Sequence, residues 1–371
     1  MTFTQPVVIP SSTAALHPLQ TTLPVSAKQQ IKKQLRKQIH LLSYQTGLSS
    51  IYAQAKKQFT KSSVASILMY HSIPSEHELP WMDPRNCLPA DLFEQQMRFL
   101  SEHRYVVSIE ELTQQLSTGE PLQPGTVAIT FDDGYLNNLR VAAPILAKYS
   151  LPATLYLATE YVAQSENQWI DTLYSAFRAR SQHHLSINNH TWNLTNQADI
   201  AYQTLSRHLI ECLPAQRQNI LEAIDQQLKP TAYPPRMTMN WDEVRELHQN
   251  YPQITLGIHT ANHIDLETHS DRTTEEITLA ISQIESAVGI RPHHLAFPYN
   301  RYNTSAQAQA AQHLKSAVAV AKDPVVRADT SPYALPRLEG PQSLTLLKSW
   351  TNGGFPDFTQ KLFKQAWTKP A

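Results

Sequence analysis

From residue 66 onward, segments with the apolar pattern of buried strands alternate with segments that have the periodicity of amphipathic helices. Helical patterns such as PADLFEQQMRFLSEH (89–103) and DRTTEEITLAISQIESAVG (271–289) separate the strand-like segments. The strand-like segments are SILMYH (66–71), YVVS (105–108), VAITF (127–131), ATLYLA (153–158), ITLGIH (254–259), HLAFPY (294–299) and AVAVA (317–321). Strands that alternate with helices predict βαβ units, and therefore a parallel sheet or barrel.

One stretch interrupts this alternation. Residues 160–236 are rich in Gln, Asn and His and are mostly helical in pattern, and LSINNHTWNLT (185–195) resembles a small hairpin. We interpret this stretch as an insertion into one α/β domain that spans residues 64–345. An N-terminal helical extension over residues 1–63 and a C-terminal helical tail over residues 346–371 complete the predicted organisation.

The N-terminal extension has an unusual charge distribution. The whole chain balances 31 Lys and Arg against 31 Asp and Glu, yet residues 1–75 contain eight basic residues and no acidic ones. Within residues 26–45, apolar side chains recur at helical spacing and Lys and Arg line another face, which predicts a basic amphipathic helix. Such a helix either packs its apolar stripe on the main domain, or uses residues 26–61 for peripheral contact with anionic lipid or saccharide.

Composition narrows the class of protein and its compartment. Apolar residues make up 41% of the chain and charged residues 17%, as in a soluble globular protein. Cys87 and Cys212 lie far apart, so they predict neither a disulfide framework nor a cysteine-based zinc site. The N-terminus lacks the pattern of a signal peptide, and no apolar run approaches the roughly 18 residues of a membrane-spanning helix. We therefore expect a cytoplasmic protein, peripheral on the inner face of the membrane if the basic helix binds lipid, without a nucleic acid partner.

Two adjacent carboxylates follow the strand VAITF. Asp132 and Asp133 stand where this strand is expected to leave the core, and Gly134 allows the chain to turn directly after them. An ordinary strand-end turn would explain these residue types. However, like charges this close raise each other's pKa unless a cation lies nearby or their roles differ.

Other polar side chains occupy equivalent positions. His259 ends ITLGIH, with His263 four residues later, and His71 ends SILMYH. The carboxyl ends of parallel strands lie at one edge of a sheet or barrel, where active sites form. Two histidines at this spacing together with one carboxylate can bind a divalent cation and leave coordination positions open. The sequence therefore predicts a metal site at this edge.

Three motifs, in this order along the chain, resemble those of the NodB-homology polysaccharide deacetylases, which are carbohydrate esterases acting on N-acetylated sugars. The motifs are TFDDG (130–134), HTANH (259–263) and FPYN (297–300). The resemblance covers roughly residues 64–340, and the flanking ILMYHSI and FEQQMRFL are similar to the exopolysaccharide branch of the family. The resemblance implies an irregular (β/α) barrel of seven or eight strands, with the helical insertion and N-terminal extension added to it.

The resemblance also assigns roles to individual residues. Asp132 is implied to be the general base that takes a proton from the attacking water. Asp133, His259 and His263 are implied to hold one divalent metal ion; zinc fits these ligand types best, although other divalent metals remain open. The backbone N–H of Tyr299 is implied to stabilise the oxyanion.

The sequence departs from the family pattern at two positions. The arginine that often opens the third motif is replaced by Ala296, and Arg337 in ALPRLEG is the candidate to orient the base instead, unless it is a surface arginine. The usual C-terminal Leu-x-His, which supplies the general acid, is missing after Pro336. Some biofilm-type members place this histidine at the start of the domain, where His71 matches; the alternative is a histidine that caps a buried strand.

Pro298, Trp169 and Trp241 are the candidate substrate-binding residues. Tryptophans can stack on sugar rings, but packing in the core is the ordinary role of any single tryptophan. The resulting hypothesis is a metal-dependent N-deacetylase that hydrolyses the acetamide of N-acetylhexosamine units in a polysaccharide, glycolipid or lipid-linked precursor. The alternatives are an O-acetyl esterase or non-sugar amidase on the same fold, and a carbohydrate-binding protein without activity.

Overall fold

The computed structural model describes residues 64–321 and 323–351. The predicted basic helix within residues 26–61 and residues 352–371 of the predicted C-terminal tail lie outside these ranges. In the part of the chain that is described, no helix combines the length and apolar character needed to cross a membrane.

A parallel β-barrel forms the centre of the molecule. Its strands, together with a two-stranded hairpin, are β1 (Ala65–Tyr70), β2 (Tyr105–Val107), β3 (Thr126–Phe131), β4 (Ala153–Leu157), β5 (His184–Ile187), β6 (His190–Asn193), β7 (Ile254–Ile258), β8 (His294–Ala296), β9 (Ser316–Val320) and β10 (Leu335–Glu339). Strand β1 pairs with both β3 and β10, so that β1, β3, β4, β7, β8, β9 and β10 close a ring. Strand β2 pairs with the first half of β3, and strand β4 pairs with the second half of β3. The predicted seven- or eight-stranded (β/α) barrel is confirmed.

Helices surround the barrel. They are α1 (Ala90–His103), α2 (Ile109–Thr118), α3 (Ala143–Lys148), α4 (Thr159–Gln164), α5 (Trp169–Arg178), α6 (Leu194–Glu211), α7 (Pro214–Leu228), α8 (Trp241–Asn250), α9 (Thr273–Val288), α10 (Thr304–His313) and α11 (Leu344–Trp350). Helix α2 begins at a capping box in which Ser108 and Glu111 bond each other's backbone N–H groups. It ends at Gly119, whose φ of 70° is left-handed and suits glycine. These two local signals mark both ends of this helix in the sequence.

Two segments differ from the sequence-based prediction. The first is NNLRVAAPILAKYS (137–150), whose pattern predicts a helix interrupted near its start by Pro144; the structure has a π-helical turn over Asn138–Ala142, followed by α3, in which Pro144 occupies the first turn. Proline is tolerated there because the first helical N–H groups need no partner within the helix. Strand β10 was not predicted, because Pro336 lies inside it and proline usually argues against a strand.

The insertion has a hydrophobic core of its own. Helices α4 to α7 and the antiparallel β5–β6 hairpin lie between β4 and α8. Their apolar side chains form a cluster that includes Trp169, Phe177, Trp192 and Tyr202. Of the residues outside the insertion, Tyr299 packs against this cluster. The insertion is therefore a folded layer on the barrel that reaches the loop after β8.

The opposite end of β8 holds a buried histidine. His294 Nδ1 lies 2.8 Å from Ser316 Oγ, and His294 Nε2 lies 2.8 Å from Glu110 Oε2. A carboxylate only accepts, so Nε2 carries the proton and Nδ1 accepts from Ser316. Burial lowers the pKa of His294 from 6.5 to about 4, although Glu110 opposes the shift.

This depressed pKa predicts a pH-dependent stability. Between pH 6.5 and about 4, His294 binds a proton in the unfolded protein but not in the folded protein. The free energy of unfolding therefore falls as the pH falls through this window. Between pH 7.5 and pH 4.5, we expect the free energy of unfolding of wild type to fall by on the order of 2–3 kcal/mol more than that of His294→Gln, as measured by urea unfolding at both pH values. His313→Gln, a half-buried histidine in α10, is the control and should keep the wild-type slope. Equal slopes for wild type and His294→Gln would contradict the prediction.

Candidate active site

Extensions of the barrel strands hold the first two site residues. Asp132 follows β3, and its N–H donates to the Tyr70 carbonyl at 3.0 Å; His259 follows β7, and its N–H donates to the Leu157 carbonyl at 2.8 Å. Both residues are almost completely buried. Their backbone positions are thus fixed by the strand pairing of the barrel.

Three side chains converge at this edge of the barrel. Asp133 Oδ1 lies 3.3 Å from His263 Nε2 and 3.7 Å from His259 Nε2, and one ligand atom from each residue fits within 4.8 Å of the others. All three residues are buried. The structure thus brings together the three residues that the sequence proposed as metal ligands.

Hydrogen bonds fix which nitrogen of each imidazole faces the centre of this group. His259 Nδ1 donates to the Ala296 carbonyl at 2.7 Å, and His263 Nδ1 lies 2.9 Å from the Tyr299 hydroxyl. The Nε2 lone pairs therefore face Asp133 Oδ1, which is itself buried and has no hydrogen-bond partner among residues 64–321 and 323–351. Three electron-pair donors that face one another repel unless a cation lies between them, and two imidazoles with one carboxylate suit a divalent ion of the zinc type.

No Lys or Arg side chain in the described part of the chain forms an ion pair with Asp133. Burial raises the pKa of its carboxyl well above the usual value, and the neighbouring Asp132 raises it further. Burial likewise lowers the pKa of His259 and of His263. All three shifts favour neutral side chains, and a bound cation would reverse this preference at Asp133.

Asp132 has a cationic partner of its own. Arg337, from β10, donates from Nη1 to Oδ1 and from Nη2 to Oδ2, both at 2.7 Å, and Nη1 also donates to Thr130 Oγ1 at 3.2 Å. Burial alone would raise the pKa of Asp132, but Arg337, with a further contribution from His259, lowers it to about 2. The two adjacent aspartates therefore differ in state, because one is paired with a buried guanidinium and the other is not.

The backbone is strained at several of these positions. Asp133, His263 and Tyr299 have φ values of 77°, 50° and 56°, in the left-handed region that side chains other than glycine rarely adopt. Each such residue costs on the order of 1–3 kcal/mol and persists only where the surrounding structure enforces it. Strain of this kind is concentrated at functional sites.

The turn after the aspartates requires glycine. Gly134 has a φ of 81°, and a Cβ atom there would lie 2.9 Å from Leu157 Cδ2. The Gln168 side chain, from the insertion, donates to the Asp133 carbonyl at 3.1 Å, and the Gly134 carbonyl accepts from the Met239 N–H at 3.0 Å. The loop that carries Asp133 is thus held from two sides.

His71 lies at the end of β1, beside the aspartates. Strands β1 and β3 pair up to Tyr70 and Phe131, so the residues that follow them, His71 and Asp132, are neighbours. Burial lowers the pKa of His71 to about 4, with Asp132 opposing the shift and Arg337 adding to it. His71 is therefore neutral near pH 7 in the metal-free protein.

The candidate substrate-binding residues lie in different environments. Trp169 is 4% exposed and belongs to the core of the insertion, while Trp241 is partly buried against the main core. Pro298 is buried in the short turn after β8. Contact between any of these residues and a sugar stays a prediction.

Reasoning from the sequence missed one set of contacts at this site. The Tyr299 hydroxyl, and not only its backbone, contacts His263, and it also accepts from Trp169 Nε1 at 2.7 Å. Arg217 from α7 donates to the His263 carbonyl at 3.3 Å. No local pattern marks Arg217 as a site residue, because only the docking of the insertion brings it there.

Comparison with known proteins places this geometry in a family. A family model described as polysaccharide deacetylase matches residues 119–237 and 232–317, together more than half of the chain. YxkH of Bacillus subtilis (strain 168), a polysaccharide deacetylase by name, is 30% identical over 132 residues, which are 35% of this chain and 43% of that protein. The match thus spans less than half the length of this relative.

Solved structures share the fold. The Streptococcus pyogenes deacetylase PplD, in complex with acetate, superimposes with a TM-score of 0.51 at 22% identity, over 78% of this chain and 98% of that one. IcaB from Ammonifex degensii gives the same TM-score at 16% identity, again over 78% and 98% of the two chains. At these levels of identity the similarities show a shared fold.

Proposed function

Because this chain belongs to the polysaccharide deacetylase family, we propose that it is a metal-dependent hydrolase that removes acetyl groups from N-acetylhexosamine units. The substrate is a polysaccharide, a glycolipid or a lipid-linked precursor. Water and the acetamide react to give acetate and a free amine, so no redox partner is required. The observation that carries the proposal is the convergence of Asp133 Oδ1 with two imidazole Nε2 atoms beside a separately paired Asp132.

Asp133, His259 and His263 would hold one divalent ion, and Zn²⁺ fits this ligand set best. When bound, the ion supplies Lewis acidity, which polarises the acetyl carbonyl and lowers the pKa of a coordinated water. The residues fit such an ion because the buried Asp133 Oδ1 has no hydrogen-bond partner in the described part of the chain.

Asp132 is assigned the role of general base. Its carboxylate is ionised, because Arg337 holds the pKa at about 2, and each oxygen keeps a lone pair beyond the one that accepts from Arg337. One of these lone pairs accepts the proton of the attacking water. Arg337 thus fixes the orientation of the carboxylate, in the role that Ala296 cannot perform.

Two further residues complete the assignment. The backbone N–H of Tyr299 donates to the oxygen that becomes negative when water adds to the carbonyl. The imidazole of His71 protonates the departing amine. His71 is neutral at rest, so it must gain a proton before it donates one; the proton that the neighbouring Asp132 takes from the attacking water would pass to His71 and balance this step.

A surface groove beside the site suits an extended saccharide. It encloses about 640 Å³, and all of its lining residues belong to the insertion except Asn262, the residue before His263; Tyr161, Trp169 and Tyr233 are among them. Sugar-sized ligands occupy grooves of this size with mixed aromatic and polar walls. This groove supports a chain of sugars, rather than a single one, as the substrate.

The test of this function uses the full chain and chitin-type oligomers of N-acetylglucosamine. We expect release of acetate and free amine in equal amounts, about one bound divalent ion per chain, loss of activity on chelation and recovery on addition of Zn²⁺. Acetate released only from O-acetylated sugars would establish the esterase alternative. Saccharide binding without release of acetate from either substrate, in metal-loaded protein, would establish the non-catalytic alternative.

A further inference from the structure

The Tyr299 hydroxyl stands behind His263, on the side away from the three converging ligand atoms. It lies 2.9 Å from His263 Nδ1, and the two rings meet edge to face with centroids 4.5 Å apart. The hydroxyl also donates its hydrogen to the His263 carbonyl oxygen at 3.0 Å. Tyr299 therefore contacts both the backbone and the side chain of this histidine.

A second residue determines what the hydroxyl can do. Trp169, at the start of α5 in the insertion, donates its indole N–H to the same oxygen at 2.7 Å. A phenolic hydroxyl offers one hydrogen and two lone pairs. The hydrogen goes to the His263 carbonyl and one lone pair to Trp169, so the remaining lone pair can only accept from His263 Nδ1–H. The hydroxyl thereby selects the tautomer whose Nε2 lone pair faces Asp133.

A third residue, also from the insertion, holds this arrangement. Arg217 is 2% exposed, and its guanidinium carbon lies 5.2 Å from the centroid of the Trp169 ring. Its Nη2 donates to the His263 carbonyl at 3.3 Å and its Nη1 to the Tyr161 hydroxyl at 3.3 Å. The carbonyl of His263 is thus bonded from two directions, which stabilises the left-handed backbone at this residue.

We propose that the insertion is part of the metal site: Trp169 and Arg217 orient the Tyr299 hydroxyl, which holds His263 in its metal-binding tautomer. In this role the three side chains are positioning groups, since they act on the ion through His263 and do not contact it; the oxyanion contact proposed for Tyr299 belongs to its backbone N–H and is separate. The inference rests on the metal site of the proposed function but not on the identity of the substrate. It gives the buried Trp169 a role other than stacking on sugar.

The test measures metal affinity of the full chain, by Zn²⁺ competition against a chelator of known affinity. Tyr299→Phe, which removes a single oxygen atom, is expected to weaken Zn²⁺ binding about 10- to 100-fold, the usual effect of losing the outer hydrogen bond of a ligating histidine. Trp169→Phe should weaken it by a smaller factor, about 2- to 10-fold, because Tyr299 keeps its other contacts. Trp192→Phe and Tyr302→Phe are the controls and should bind as wild type. Trp192 is equally buried in the same cluster, and Tyr302 stacks on Phe297.

A second measurement separates orientation of the histidine from general destabilisation. In metal-free wild type, imidazole nitrogen NMR should show His263 as the pure Nδ1–H tautomer, and in Tyr299→Phe as a mixture. Wild-type affinity together with a pure tautomer in Tyr299→Phe would overturn the proposal. If that variant does not fold, wild-type affinity in Trp169→Phe has the same consequence. Wild-type affinity in His263→Ala would instead show that the metal site itself is assigned wrongly.

Discussion

The Asp132→Asn variant should keep its metal yet lose about 10²- to 10⁴-fold in kcat, the usual contribution of a general base. An amide cannot accept the proton of the attacking water at Oδ. Metal is retained because the three ligand atoms belong to Asp133, His259 and His263. The measurements are metal content after gel filtration and the rate of acetate release.

The same variant should also be less stable, because Arg337 stays buried without its carboxylate. Removing one partner of a buried ion pair typically costs about 3–5 kcal/mol. Arg337→Met should also be less stable, because the Asp132 carboxylate then stays buried without its guanidinium. The double variant Asp132→Asn/Arg337→Met should recover part of the lost free energy of unfolding, since no unpaired charge remains. Loss of metal in Asp132→Asn and retention in Asp133→Asn would show that the roles of the two aspartates are reversed.

Replacement of His71 by alanine is the second large effect that we expect. If this imidazole protonates the departing amine, kcat should fall about 10²- to 10⁴-fold. Metal content and Tm should stay near wild type, because the pKa of about 4 makes His71 neutral at pH 7 and its removal leaves no unpaired charge.

The exposed His77, six residues later, provides the matched control, and His77→Ala should leave kcat unchanged. A large drop in Tm for His71→Ala, with normal kcat per folded molecule, would show that this histidine caps β1 and has no part in proton transfer.

Local signals explain which parts of the fold could be predicted from the sequence. The capping box of Ser108 and Glu111, the apolar runs of the strands and the glycine after Asp133 act over a few residues, so their effects can be read directly. Strand β10 could not be predicted because Pro336 removes a backbone donor and its neighbours form no long apolar run. The barrel supplies the pairing partners that this strand lacks as an isolated sequence.

The same distinction applies to the site. Asp132, Asp133, His259 and His263 could be singled out because each lies where a predicted strand ends, and parallel strands end at one edge. The contact between Trp169 and Tyr299 joins residues 130 positions apart and depends on how the insertion docks. Sequence spacing contains no information on such a contact, which is why the sequence suggests only sugar stacking or core packing for Trp169.

The pairing of Asp132 with Arg337 has a consequence for folding during synthesis, because the chain leaves the ribosome with its N-terminus first. The two residues are 205 positions apart, and β10, which carries Arg337, is the last of the described strands to be made and pairs with β1, the first of them. Until β10 docks, the Asp132 carboxylate would be buried without a cation, which is unfavourable by several kcal/mol. A nascent chain therefore keeps this edge of the barrel open to water, and the base gains its partner in the step that completes the barrel.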